Sequence, residues 1–274
     1  MNQMKPIQFI FKCSIFCILL ICSATAHAQK PVPNATIHLK GTLGEQPITM
    51  DLLKTKRAKY EYYQGTYYYD KYQVPIGLYD TESKTKNLLV FEEANSSMDQ
   101  NESAKISGKL TDKGFDGEWK KGKKTFKVTL LIDQNKDLPS FDYFYFEDSI
   151  KFQPKKTETP RCDVSLQLLM PNKSVNAMQK MFIEQEIYKM FLDDSLANYL
   201  KPKSPADIFK VIKQQNFDDF KEFTKDFKPN EDIENPMSFS IEDHKSLNIL
   251  YNENKRLCIE SAFWWCARHV EFCV

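Results

Sequence analysis

Lys59-Tyr-Glu-Tyr-Tyr-Gln-Gly-Thr-Tyr-Tyr-Tyr-Asp-Lys-Tyr72 decides how the front half of the chain is read. The run is almost wholly aromatic, β-branched or polar, and too rich in Tyr for a solvated loop. Flat rings pack on a pleated surface, so the stretch predicts a strand, and Val74 to Asp80 predicts its return. Upstream, Thr36 to Leu43 and Ile48 to Leu53 flank a turn at Gly44-Glu45-Gln46-Pro47. Downstream, Leu88 to Glu92, Ala104 to Leu110, Phe115 to Lys120 and Thr125 to Ile132 alternate with turns at Thr111–Gly114 and Lys121–Lys123.

No segment of helical period interrupts them. About eight strands over residues 35–135 predict an all-β antiparallel meander, either a sandwich or a closed barrel. Tyr60, Tyr62, Tyr67 and Tyr69 are candidate lining residues of a small-ligand cavity; the alternative is that these rings fill the core and cover the outer wall. The glycines in Gly65-Thr-Tyr-Tyr-Tyr and Gly114-Phe-Asp-Gly-Glu-Trp119 suit close strand crossings where a side chain would not fit.

The pattern changes after residue 140. Asp142–Glu147 and Cys162–Pro171 read as strands. From Val175 the period becomes helical, with Met178, Met181, Phe182, Tyr188, Leu192, Leu196 and Tyr199 on one broad face of a helix ending near Leu200 and Phe191 at its edge. Ser204-Pro205-Ala206-Asp207 is a helix start, with a Ser cap, Pro in the first position and an acid in the first turn. Ile208, Val211, Ile212, Phe220, Phe223 and Phe227 mark that helix's buried side. Residues 238–251 and 256–263 then predict two antiparallel strands. The whole is α+β: a meander followed by an incomplete β-α-α-β-β domain over residues 140–274.

The Cys162–Pro171 strand, the helix start near Asn176, the paired helices and Leu257-Cys-Ile-Glu-Ser-Ala-Phe263 carry a resemblance. Residues 140–263 resemble the extracytoplasmic domain shared by the anti-sigma factor RsiV and the non-catalytic part of the peptidoglycan deacetylase PdaC. The resemblance implies an envelope protein, with recognition of a protein such as a lysozyme in some relatives. It carries no deacetylase activity over, because the catalytic domain accompanying this module in PdaC-like enzymes is not in the chain.

In that family the last strand runs into Tyr-Thr-Gly-Gly-Ala-His-Gly, where this chain has Trp264-Trp265-Cys266-Ala267-Arg268-His269. Trp is encoded by TGG, so reading one base later turns Trp264 and Trp265 into Gly-Gly and Cys266 into Ala or Val. It also lets Ala267 become His and Arg268 become Gly. Residues 264–274 therefore read either as a frameshifted tail that truncates the domain or as a genuine divergent end. A truncated domain would leave an apolar face and a sheet edge open.

At the start of the chain, Lys5 and Lys12, the apolar run Ile15–Cys22 and Ala26-His27-Ala28 form a signal-peptide pattern over residues 1–28. Cleavage is expected after Ala28, with no stable membrane span left afterwards. The expected compartment is periplasmic or extracellular. The mature balance is (38 − 2) − 37 = −1, which offers no electrostatic basis for nucleic-acid binding. Cys162, Cys258, Cys266 and Cys273 remain in an oxidising compartment; Cys162 and Cys258 read as a disulfide or as two buried thiols.

No metal-ligand spacing, nucleophile elbow or phosphate loop occurs, so no catalytic, cofactor-binding or metal site is expected, and no cofactor. His38, His244 and His269 have no nucleophile motif beside them and read as surface residues. The adjacent acids Glu92-Glu93, Asp193-Asp194 and Asp218-Asp219 read as solvated. The expected function is a non-enzymatic envelope protein that binds a cell-wall glycan or a protein partner. The alternatives are a glycan-acting hydrolase with its site in a missing C-terminal part, and a small-ligand carrier using the β domain.

Overall fold

The computed structural model describes residues 27–57, 60–81, 88–94, 103–135, 138–154, 159–172, 176–192, 204–225, 240–253, 256–263 and 272–273. Its elements in chain order are strands β1 (His27–Ala28), β2 (Thr36–Leu43), β3 (Gln46–Arg57), β4 (Tyr60–Tyr69), β5 (Ile76–Asp80), β6 (Leu89–Glu93), β7 (Lys105–Leu110), β8 (Gly114–Lys121), β9 (Lys124–Ile132), β10 (Phe141–Lys151) and β11 (Arg161–Pro171). Helices α1 (Ala177–Phe191) and α2 (Pro205–Phe223) follow, then β12 (Ser240–Glu253), β13 (Arg256–Phe263) and β14 (Phe272–Cys273).

Strands β2 to β9 form a closed antiparallel barrel, each paired with the next, and β9 returns to β2 through Leu39↔Ile132 to Leu43↔Val128. Closure removes the sheet edges. Two-residue hairpin loops begin with Gly44 at φ 59° and Gly122 at φ 57°, the left-handed backbone that such loops need at that position. In β4, a Cβ on Gly65 would lie 2.0 Å from the Asp51 carbonyl oxygen, so only glycine allows this crossing. Leu39, Ile48, Met50, Tyr67, Phe91, Ile106, Phe115 and Val128 point inward and pack as one core. Of the two architectures open from sequence, the barrel is the observed one.

The second sheet has the order β1-β10-β11-β12-β13-β14. Strands β11 and β12 are parallel, and the two helices lie between them in sequence. Helices cover one face: Phe146 of β10 stacks on Phe209 of α2 with centroids 5.3 Å apart, and Cys162, Val164, Leu166 and Leu168 lie in the same core. The barrel's outer wall meets the opposite face, where Ala35 and Leu53 join that second core. The sheet is thus the middle layer between helices and barrel. Gln29, Val32 and Ala35 donate backbone hydrogen bonds to Tyr145, Tyr143 and Phe141 of β10, so the strand-like pairing of the N-terminal segment continues beyond β1.

Several expectations are corrected. Helix α1 ends at Phe191, with Leu192 already extended, and it buries Ile183, Ile187 and Phe191. Met178, Met181 and Phe182, expected on the buried face, are 77 %, 56 % and 43 % exposed. The apolar positions admit two stripes, and the sheet takes the one carrying the β-branched residues. On α2, Ile208, Ile212 and Phe220 are buried as expected, whereas Phe209 is buried and Phe223 is exposed. Leu196, Tyr199, Phe227, the acids Asp193-Asp194, His269 and residues 264–271, on which the frame argument turns, lie outside the described residues. Among the described residues, no helix is long and apolar enough to cross a membrane.

Candidate functional site

Strand alternation sorts the tyrosines. The unbroken register of β3 with β4 pairs Ile48 with Tyr69, Met50 with Tyr67 and Thr55 with Tyr62. Tyr67 and Tyr69 therefore face the barrel interior, while Tyr62 and the position of Tyr60 face outward; the Tyr60 side chain lies outside the described residues. Tyr62, Tyr67 and Tyr69 do not line one cavity. Tyr67 is 1 % exposed and belongs to the core. Its hydroxyl donates to Glu93 Oε1 at 2.5 Å, as does Trp119 Nε1 at 2.6 Å. Glu93, read as solvated, is instead a half-buried acceptor shared by these two core side chains. Burial and the Glu93 carboxylate raise the Tyr67 hydroxyl pKa far above its usual range.

The outward residues of β2, β3 and β4 build the junction with β12. Its centre is a bulge between Ile249 and Tyr251 that breaks the β12–β13 ladder. The Thr66 hydroxyl lies 3.2 and 3.1 Å from the carbonyl oxygens of Ile249 and Leu250. Gln64 donates to Asn248 at 3.0 Å, and Asn252 donates to the Pro139 carbonyl at 2.9 Å.

Beside the bulge is a polar cluster, buried at His38 and Asp51 and opening to solvent at Lys40. His38 Nδ1 is 2.7 Å from Asp51 Oδ1, and its Nε2 is 3.7 Å from Asp133. Lys40 pairs with Glu253, which also accepts from Tyr68 at 2.8 Å. Burial works against a charged His38, but the Asp51 hydrogen bond and the charges of Asp51 and Asp133 outweigh it and raise its pKa. Burial raises Asp51 despite the same contact. Burial opposes ionisation of Glu253, yet Lys40 and Tyr68 hold it below the usual carboxylate range. His38, read as a surface residue, is a buried structural group with only 8 % of its side chain exposed.

Next to the junction, a groove of about 350 Å³ runs between the barrel wall and the β12–β13 hairpin. Gln64, Thr66, Asn248 and Glu260 supply polar groups, and Tyr79, 62 % exposed, stands at its lip. That volume falls at the small end of the range for small-molecule sites.

A second pocket, about 250 Å³, lies farther along the same face of the middle sheet. The parallel register sets Ser165 of β11 directly beside His244 of β12. Ser165 Oγ is 2.7 Å from His244 Nδ1, and Glu242 Oε2 is 3.5 Å from His244 Nε2. Gln167, Tyr145, Lys245 and Ser246 complete the lining, and the Tyr145 hydroxyl donates to Glu147 at 2.7 Å. His244, read as a surface residue with no nucleophile motif beside it, instead shares this pocket with Ser165 and Glu242. Ser165 and His244 are 79 residues apart, and only strand register joins them. Period-two alternation in both strands was the available signal; the pairing of β11 with β12 was not.

Cys162 and Cys258 are not joined. Cys162 pairs in register with Ile241, and Cys258 pairs with Tyr251, ten residues farther along β12. That separates them by roughly 30 Å, against the ~7 Å limit for bridged Cα atoms. Among the described residues, no group of three or more His, Cys, Asp or Glu is placed to hold a metal ion. No family model, curated protein or solved structure matches the chain.

Proposed function

We propose that this is an exported cell-envelope protein that binds a cell-wall glycan in the groove between the barrel and the middle sheet. The observation that carries the reading is the lining of that groove, which combines an exposed ring, Tyr79, with the amides of Gln64 and Asn248, the Thr66 hydroxyl and the Glu260 carboxylate. Rings stack on the C–H faces of sugars, while amides and carboxylates hydrogen-bond to hydroxyls. Export rests on the pattern at residues 1–28, and the resemblance to the RsiV/PdaC-like domain agrees with an envelope role. Among the described residues that line it, the groove holds no paired nucleophile and base, and the reading at this place is binding.

The test is co-sedimentation of the mature chain with purified peptidoglycan sacculi. The expected result is a pelleted fraction that falls at least tenfold in Tyr79→Ala and is unchanged in Leu131→Ala, which alters an exposed residue away from the groove. A wild-type chain that stays in the supernatant, or a Tyr79→Ala variant that pellets like wild type, contradicts the reading.

A further inference from the structure

We propose that Ser165, His244 and Glu242 form a hydrolytic centre for short-chain carboxylic esters on the barrel-side face of the middle sheet. A serine alone is a weak nucleophile and needs an adjacent base oriented by a third group. Here the distances are 2.7 Å from Ser165 Oγ to His244 Nδ1 and 3.5 Å from His244 Nε2 to Glu242 Oε2. Glu242 beside Nε2 favours the tautomer that carries its proton there, which leaves Nδ1 as the acceptor for the Ser165 hydroxyl.

The sheet enforces this arrangement. Ser165 and His244 are a cross-strand pair, and Glu242 lies two residues before His244 on the same face. Ser165 is 6 % exposed and forms part of the pocket lining, so its hydroxyl is held against the base. Gln167, two residues on from Ser165, brings an amide to the same face, where it can donate to the oxyanion of a tetrahedral intermediate. A pocket of about 250 Å³ suits a short acyl chain.

The reaction balances with water as the only co-reactant. Ser165 Oγ adds to the acyl carbon while its proton passes to His244 Nδ1. That proton goes to the departing alkoxide as the ester C–O bond breaks, leaving an acyl-serine and a free alcohol. Water then adds to the acyl carbon, giving its proton to Nδ1. The proton returns to Ser165 Oγ as the acyl–oxygen bond breaks and the carboxylic acid leaves. Ser165 and His244 are the catalytic residues, and Glu242 is a positioning residue.

The centre is distinct from the glycan groove but adjoins it. His244, Ser246 and Asn248 occupy alternate positions of β12, so His244 and the groove residue Asn248 are about 13 Å apart on one face. The proposal does not depend on glycan binding.

The experiment uses the mature chain with p-nitrophenyl acetate and a fluorophosphonate probe, with the adduct mapped by mass spectrometry. Expected results are turnover above the uncatalysed rate and one adduct at Ser165. Ser165→Ala should lose both, and His244→Asn should lower kcat/KM at least 100-fold. Glu242→Gln should lower kcat about tenfold with KM unchanged, and Glu242→Asp should restore part of it. Leu131→Ala, which alters an exposed residue outside both pockets, should hydrolyse like wild type, and the assay contains no glycan, which separates failure here from failure of the glycan reading. Far-UV circular dichroism checks that each variant is folded. Absence of an adduct at Ser165, or hydrolysis that survives Ser165→Ala in a folded protein, overturns the proposal.

Discussion

Tyr68 on the barrel's outer wall stacks on Tyr251 of the middle sheet, with ring centroids 4.9 Å apart and planes 28° from parallel. Both rings are buried, at 1 % and 8 % exposure, and the Tyr68 hydroxyl donates to Glu253. Tyr251→Ala is expected to cost ~3–4 kcal/mol, since it removes a buried ring and leaves a cavity. Tyr68→Phe keeps the ring but leaves Glu253 short of one donor, and should cost ~1–3 kcal/mol. Urea unfolding followed by fluorescence reads both values, and a neutral Tyr251→Ala would remove the junction from the account.

The His38–Asp51 pair makes stability depend on pH. His38 is raised above 6.5 and Asp51 above 3.8, so the folded chain holds each proton more tightly than the unfolded chain. The His38 contribution is full below pH 6.5 and is lost as pH rises through its higher native value. The Asp51 shift acts in the same direction, removing stability as pH climbs from the ordinary carboxylate range. Between pH 6 and 8.5 the Tm of the wild type should therefore fall, by about 2–4 °C if the loss is ~1 kcal/mol. In His38→Gln that slope should flatten; equal slopes in the two proteins would contradict the assignment.

Glycine positions separate close approach from turn strain. An alanine at Gly65 would set its Cβ 2.0 Å from the Asp51 carbonyl oxygen, inside the β3–β4 ladder. Gly65→Ala should cost more than ~4 kcal/mol or abolish soluble barrel. Gly122 has open space around it and only its φ of 57° to protect, so Gly122→Ala should cost ~1–2 kcal/mol. Thermal denaturation of the pair tests the contrast.

Cys162 is fully buried under α2, and burial together with nearby carboxylates pushes its thiol up to about 11. It should stay unmodified by a thiol reagent in the native chain and react once guanidinium unfolds it. Peptide mapping without reductant should yield no Cys162–Cys258 cross-link; finding one would contradict the strand register.

The barrel was legible because each of its strands is local. Alternation and the punctuating turns at Gly44, Thr111–Gly114 and Gly122 mark all eight strands without any long-range information. Helix α2 announced itself through Ser204, Pro205 and Asp207. The buried face of α1 was harder, because Met178, Met181 and Phe182 compete with Ile183, Ile187 and Phe191 for the same sheet. Docking decides between them, and local periodicity does not. The junction and the Ser165–His244 pocket were hidden for a related reason. Tyr68 meets Glu253 across 185 residues, and Ser165 meets His244 across 79, through pairings that no spacing rule encodes.

Hydrogen exchange of the mature chain with and without soluble peptidoglycan fragments tests the central claim most directly. Slowed exchange confined to residues 64–79 and 248–260, the two walls of the groove, is the predicted result. Unchanged exchange at saturating fragment, or protection only at α1 and α2 on the far side of the sheet, would contradict it.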